Sequence, residues 1–275
     1  MTLNKARAAL VLAANLVLLV TIGPALAADV SAWDGTERAA VRLIAGVART
    51  EGAATIHRAG FEIRLAPGWK TYWRYPGDSG IPPRFDFSKS RNVKSVAVRW
   101  PAPQRLADEG GVSIGYKHDV VFPLEVTPQD AGKPVVLALK VDYAVCEKIC
   151  VPADGTVNLT LSGNASQQDE KIRHSESLVP KPAAVGENSA PSIRAVKREG
   201  SRILVDVAAP SGGVELFAEG PTPDWALPVP SPIAGAANGQ QRFIFELEGL
   251  PAGAKPEGAT LTLTAVAGEQ AVDVP

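Results

Sequence analysis

Sulfur is scarce in this sequence. Its 275 residues include two cysteines and one methionine, and that methionine is Met1. A single cysteine pair excludes a disulfide-dense scaffold, a zinc ribbon and a cysteine-ligated cluster, all of which need more thiolates. The three histidines, His57, His118 and His174, are scattered and form no metal-ligand spacing, so no cofactor is expected. The formal charge is -1 and no lysine or arginine stripe runs along the chain, which removes the electrostatic case for nucleic-acid binding. With 45% hydrophobic and 21% charged residues, the chain is neither disordered nor fibrous.

Turn-forming residues are abundant. There are 25 glycines and 23 prolines, where average usage would give roughly 33 of the two together. The first residues read as an export signal. Lys5 and Arg7 precede an apolar stretch from Ala8 to Ile22, Gly23-Pro24 breaks any helix, and Ala25-Leu26-Ala27 offers small residues to a signal peptidase. An uncleaved membrane anchor is the rival reading, against which the helix-breaking pair and the cleavage site argue. A cut after Ala27 leaves residues 28–275, with no methionine and no segment apolar enough to span a bilayer. Such a protein works outside the cytoplasm, where disulfides persist.

Period-two alternation dominates the rest. Phe61, Ile63 and Leu65 alternate with Glu62 and Arg64, and Val96, Val98 and Trp100 with Ala97 and Arg99. Phe122, Leu124 and Val126 form a third stripe. The longest stripe is Val135, Leu137, Leu139, Val141 and Tyr143, and Val157, Leu159 and Leu161 follow. Strands separated by Pro/Gly/Asp-rich turns, without intervening helices, predict an antiparallel sandwich over residues 28–165. Residues 166–192 read as a linker, in which Gln167 to Val179 has a weak helical pattern. Alternation at Ile203, Val205 and Val207, then Phe243, Phe245 and Leu247, then Leu261 and Leu263, predicts a second sandwich over 193–275. The fold class is therefore all-β, two tandem β-sandwiches after a signal peptide.

Both cysteines lie in the first sandwich, in Cys146-Glu147-Lys148-Ile149-Cys150. Closing so short a loop contributes about 2 kcal/mol, against about 4.7 for a hundred-residue loop, so a staple is a poor use of this pair. Four extended steps would separate the Cα atoms by about 13 Å, whereas a disulfide tolerates roughly 4.4–6.8 Å. The chain must therefore turn sharply between the cysteines, which places them at a strand end or loop. There a sulfur is open to a partner thiolate. Lys148 would favour a thiolate and Glu147 would oppose it. An inert local disulfide that tidies a turn remains the alternative.

Three ordered blocks carry a family resemblance. The stretch from Val141 to Ala153, VDYAVCEKICVPA, resembles the cysteine motif of the amino-terminal periplasmic domain of the DsbD disulfide reductases. It resembles more closely that of the suppressor-of-copper-sensitivity ScsB proteins. The blocks Leu65 to Pro83 (LAPGWKTYWRYPGDSGIPP) and Tyr116 to Val126 (YKHDVVFPLEV) match in the same order. The segment from Ile193 onward resembles the second immunoglobulin-like domain of the ScsB type. The resemblance implies an immunoglobulin-like redox domain that passes two electrons to periplasmic thioredoxin-fold proteins. It also implies that Cys150 forms the mixed disulfide and Cys146 resolves it.

The chain departs from the DsbD pattern in three ways. Three residues rather than five separate the cysteines. The cap loop of DsbD, Asp-Glu-Phe-Tyr-Gly, corresponds to Asp108-Glu109-Gly110-Gly111-Val112, without either aromatic, so Ile114 or Tyr116 becomes the candidate shield. No transmembrane electron-transfer domain follows, so a separate membrane electron donor is expected. Copper binding or copper tolerance, suggested by the ScsB resemblance, is the second alternative, and Cys146 and Cys150, with His118, are the ligands the chain could offer. A non-enzymatic interaction module with a structural disulfide is the other alternative. Gly77-Asp78-Ser79-Gly80 mimics a protease nucleophile loop but reads as a turn, since only His57 precedes it. Trp69, Tyr72, Trp73 and Tyr75 read as core and strand-edge packing.

Overall fold

Each alternating stripe falls within a strand or at its end. The computed structural model describes residues 28–275 apart from 53, 78–79, 109–110, 166, 210–212 and 238. The signal peptide and Glu109 thus lie outside the described residues, as do Asp78 and Ser79 of the turn.

The first sandwich contains β1 (Asp34–Gly35), β2 (Ala39–Ala45), β3 (Arg49–Glu51), β4 (Ala54–Leu65), β5 (Lys70–Gly77) and β6 (Arg84–Asp86). It continues with β7 (Val93–Val98), β8 (Gln104–Asp108), β9 (Gly111–Tyr116), β10 (Val120–Pro128), β11 (Val135–Cys146) and β12 (Cys150–Leu161). One sheet has the order β1-β2-β4-β10-β7, with β3 beside β4. The other has the order β12-β11-β5-β9-β8, with β6 beside β11. Leu43, Phe61, Ile63 and Phe122 from the first sheet meet Leu137, Leu139, Val141 and Tyr143 from the second in one buried cluster. Each buried Leu, Ile or Phe contributes about 1.5–3 kcal/mol, so these inward stripes dominate the stability of the sandwich.

The stretch read as a linker is largely structured. Helix α1 (Asp169–Ser177) packs Ile172 against Ile44 and Val121 on the outer face of the first sheet. That contact buries Glu62, an outward residue of the β4 alternation, to 2% exposure. Its carboxylate accepts from Arg42 Nε at 2.6 Å and pairs with Lys171 of the helix. Arg58 reaches Asp169 and Glu176, both at 2.6 Å, and ties the helix down at two points. The helix is polar apart from Ile172 because it covers the sheet mainly through charge pairs, which explains its weak hydrophobic pattern.

The strand β13 (Lys181–Pro182) opens the second sandwich by pairing in parallel with its last strand. Proline suits such an edge position because it has no N–H to offer the ladder. The remaining strands are β14 (Ser192–Glu199), β15 (Arg202–Ala208), β16 (Glu215–Glu219), β17 (Ser231–Ile233), β18 (Gln240–Glu246), β19 (Thr262–Ala267) and β20 (Gln270–Val274). They build two four-stranded sheets, β13-β20-β19-β16 and β14-β15-β18-β17. The all-β, two-sandwich architecture is the one expected from the alternation.

Strand β5 joins the two sandwiches. Trp73 packs on Phe217 with ring centroids 5.9 Å apart. The Tyr75 hydroxyl donates to the Trp225 carbonyl and accepts from the Leu227 amide. Arg74 pairs with Glu219 at 2.7 Å and Asp273 at 3.1 Å, with its guanidinium 4.2 Å from the Trp73 ring centroid. The aromatics read as packing divide: Trp73 and Tyr75 pack between the sandwiches, Tyr72 clusters with Ala144 and Cys146, and Trp69 lies under Arg38.

Candidate redox site

The parity of β11 positions the cysteines. Odd-numbered residues from Val135 to Val145 point into the main core, so Ala144 and Cys146 point out of the opposite face. Strands β11 and β12 pair without a bulge from Val135↔Leu161 to Cys146↔Cys150. The two cysteines are therefore the closing pair of a hairpin whose turn is Glu147-Lys148-Ile149. They are disulfide-bonded, with Cα atoms 4.0 Å apart. The sharp turn expected between them is this hairpin tip.

The two sulfurs have unequal surroundings. Cys146 lies on a strand flanked on both sides, with Cys150 opposite on β12 and Lys70 opposite on β5, and it is 6% exposed. Cys150 begins the edge strand β12 and is exposed. A nucleophile approaching from solvent therefore meets Cys150 first. Beside it, Ile149 is 75% exposed at the tip of the turn.

Tyr72 forms the wall behind the pair. It is 1% exposed and clusters with Ala144 and Cys146, and its hydroxyl oxygen lies 3.1 Å from Cys150 Sγ. The Thr71 hydroxyl donates to the Ala144 carbonyl at 2.9 Å and locks β5 to β11 at this level. Gly80 closes over the ring: a Cβ there would stand 2.6 Å from Tyr72 Cδ1 and 2.3 Å from Pro76 Cβ. Gly80, the last residue of the segment resembling a protease loop, thus packs over Tyr72. Lys70, two residues before Tyr72 on the same face, is buried and donates from Nζ to Ser113 Oγ at 3.1 Å.

The residues expected around the cysteines are distributed differently. Glu147 and Lys148 are exposed in the turn, and the Glu147 carboxylate lies over Gly68, 3.4 Å from where a Cβ would sit. Gly68 has φ +85, a left-handed conformation that glycine adopts freely. Ile114 and Tyr116 belong to the main core, on the face opposite Cys146 and Tyr72. The Tyr116 hydroxyl donates to the Pro101 carbonyl at 2.9 Å, and burial pushes its pKa well above the usual phenol value. The structure brings neither residue to the disulfide; Tyr72 is the aromatic that meets it. Asp108 pairs with Gly111 at the β8–β9 tip, and its side chain is outside the described set together with Glu109.

Tyr72 and Lys70 were not singled out for this site by the sequence reading. The signal was parity: Cys146 falls on the even positions of β11, off the core stripe. Among the described residues, no three His, Cys, Asp or Glu side chains converge to hold a metal ion. His118 lines a cavity beside α1 together with His174, and neither cysteine lines that cavity.

This geometry stands beside a family match. Residues 45–162 match the family described as Thiol:disulfide interchange protein DsbD, N-terminal. The match to the DsbD amino-terminal family lies within the first sandwich. The matched residues contain the whole cysteine hairpin and the Tyr72 wall, so the candidate site lies inside the region of similarity. The crystal structure of the N-terminal periplasmic domain of ScsB from Proteus mirabilis is similar in fold, with a TM-score of 0.66 at 20% identity. That match covers 90% of this chain and 96% of the ScsB chain, so it extends through the second sandwich. No curated protein sequence matches the chain.

Proposed function

We propose that the protein is a periplasmic thiol–disulfide exchange protein whose Cys146–Cys150 pair passes reducing equivalents to a thioredoxin-fold partner. The observation that carries this reading is the asymmetry of the pair, an exposed Cys150 residue bonded to a buried Cys146. Thiol–disulfide exchange requires an attackable sulfur and a resolving sulfur held within bonding reach of it. The hairpin supplies both without moving a strand. The family description of the first sandwich and the periplasmic origin of the similar ScsB domain support the same assignment.

In the reducing direction, the Cys150 thiolate attacks one sulfur of the partner disulfide. A Cys150–partner bond forms and the other partner sulfur leaves as a thiolate that takes a proton. The Cys146 thiolate then attacks Cys150 Sγ, which restores the intramolecular disulfide and releases the partner as a dithiol. Two electrons and two protons are transferred, and the reverse sequence recharges the pair. The second sandwich braces β5 through Arg74 and Tyr75 and acts as a spacer or docking surface. Equilibration with glutathione or dithiothreitol buffers tests the assignment. A reduction potential above about −300 mV is expected, and a lower value would mark a resistant structural bond.

A further inference from the structure

Extending the exchange reading above, on which it rests, we propose that Tyr72 is a positioning residue for Cys150, its phenol holding the negative charge that this sulfur carries after reduction. A sulfur within a disulfide has no proton, so in the 3.1 Å contact the Tyr72 hydroxyl is the donor and Cys150 Sγ the acceptor. A disulfide sulfur accepts weakly, whereas a thiolate accepts a charge-assisted bond roughly twice as strong as a neutral one. The same contact therefore tightens when the Cys146–Cys150 bond breaks. It favours the thiolate form of Cys150 and the reduced state of the pair.

The donor is preorganised. Tyr72 is buried, its ring is held between the Ala144/Cys146 cluster and the backbone at Gly80, and its strand is locked to β11 through Thr71. The phenol therefore need not be ordered when the charge appears. The need for such a donor follows from position: Cys150 starts an edge strand, so Tyr72 supplies it with a fixed donor from the protein side. Cys150 is the attacking thiolate in the reducing direction and the thiolate expelled from the mixed disulfide in the reverse direction, and Tyr72 stabilises it in both.

The test uses the full chain with Cys146→Ala, in which Cys150 is the single thiol. The rate of alkylation by iodoacetamide is followed against pH, with and without Tyr72→Phe, which keeps the ring and deletes the hydroxyl. The expected result is an alkaline shift of the profile, with the rate at pH 7 falling roughly 3- to 10-fold. In the chain with both cysteines, Tyr72→Phe should make the reduction potential more negative. Circular dichroism and melting temperature check that the variant is folded. If Tyr72→Phe does not fold, Gly80→Ala in the Cys146→Ala background displaces the ring and should shift the profile the same way. Superimposable profiles would overturn the role of Tyr72 and leave exchange through Cys150 standing. A pair that fails to exchange with any thioredoxin-fold disulfide would overturn the exchange reading, and the alkylation profile would still report the phenol–sulfur contact.

Discussion

Cys146 and Cys150 are cross-strand partners in one hairpin, yet β5 covers the first and leaves the second at a sheet edge. After gentle reduction, Cys150 should therefore be alkylated faster than Cys146, by on the order of tenfold at neutral pH. Peptide mapping of the singly modified protein by mass spectrometry checks this. Equal labelling would mean that burial of Cys146 does not separate the two thiols.

Breaking the disulfide should cost little stability. The loop it closes is short, and the hairpin is held by pairing all the way from Val135↔Leu161, so the loss should be about 2 kcal/mol or less. Chemical denaturation of the oxidised protein and of Cys146→Ala/Cys150→Ala measures it. A collapse of the first sandwich in the double variant would make the bond a structural staple.

The lid over Tyr72 makes a steric prediction. Gly80→Ala places a methyl group into Pro76 and the Tyr72 ring, and overpacking of this kind costs about 1–3 kcal/mol. Denaturation of the variant should show that loss, although residue 80 lies far from the cysteines in sequence. Wild-type stability would mean that the turn yields freely.

The joint between the sandwiches depends on a buried hydroxyl. Tyr75→Phe removes the hydroxyl that ties the Leu227 amide and the Trp225 carbonyl to β5, and because those two groups also bond each other the loss should be about 0.5–1.5 kcal/mol. Limited proteolysis between the sandwiches should accelerate as the second one detaches from β5. Unchanged cleavage would show that Arg74, Glu219 and Asp273 suffice to hold the joint.

Helix docking should be acid-sensitive. Burial alone would raise the pKa of Asp169, but the Val47 amide, Arg58 and Arg173 outweigh it and hold the carboxyl below the ordinary range. Because the folded value lies below the unfolded value of about 3.9, its stabilisation is complete above that pH and is lost as pH falls through the folded value. Melting curves should show the wild type losing stability below about pH 4. Asp169→Asn should be less stable at pH 7 and lose less on acidification.

Much of this was legible in the sequence because inward stripes such as Val135 to Tyr143 alternate cleanly and are buried as they alternate. The cysteine spacing likewise required a turn. What stayed hidden depended on long-range pairing. Glu62 is buried because Ile172 and Lys171 arrive from more than a hundred residues away. Tyr72 meets Cys150 across 78 residues because β5 lies beside β11, a neighbour relation that no local pattern states. Ile114 and Tyr116 were expected near the cysteines from their proximity to the cap segment, and sheet parity turns both into the core.

The most direct test of the central claim is a trap. Full-length Cys146→Ala and Cys150→Ala are each reacted with an oxidised thioredoxin-fold protein, and adducts are resolved by non-reducing electrophoresis and mass spectrometry. The account predicts a mixed disulfide through Cys150 that accumulates in Cys146→Ala, where no Cys146 thiolate resolves it and only the partner's freed thiol can reverse it, and little adduct in Cys150→Ala. Adducts with neither variant, or predominantly through Cys146, would contradict it.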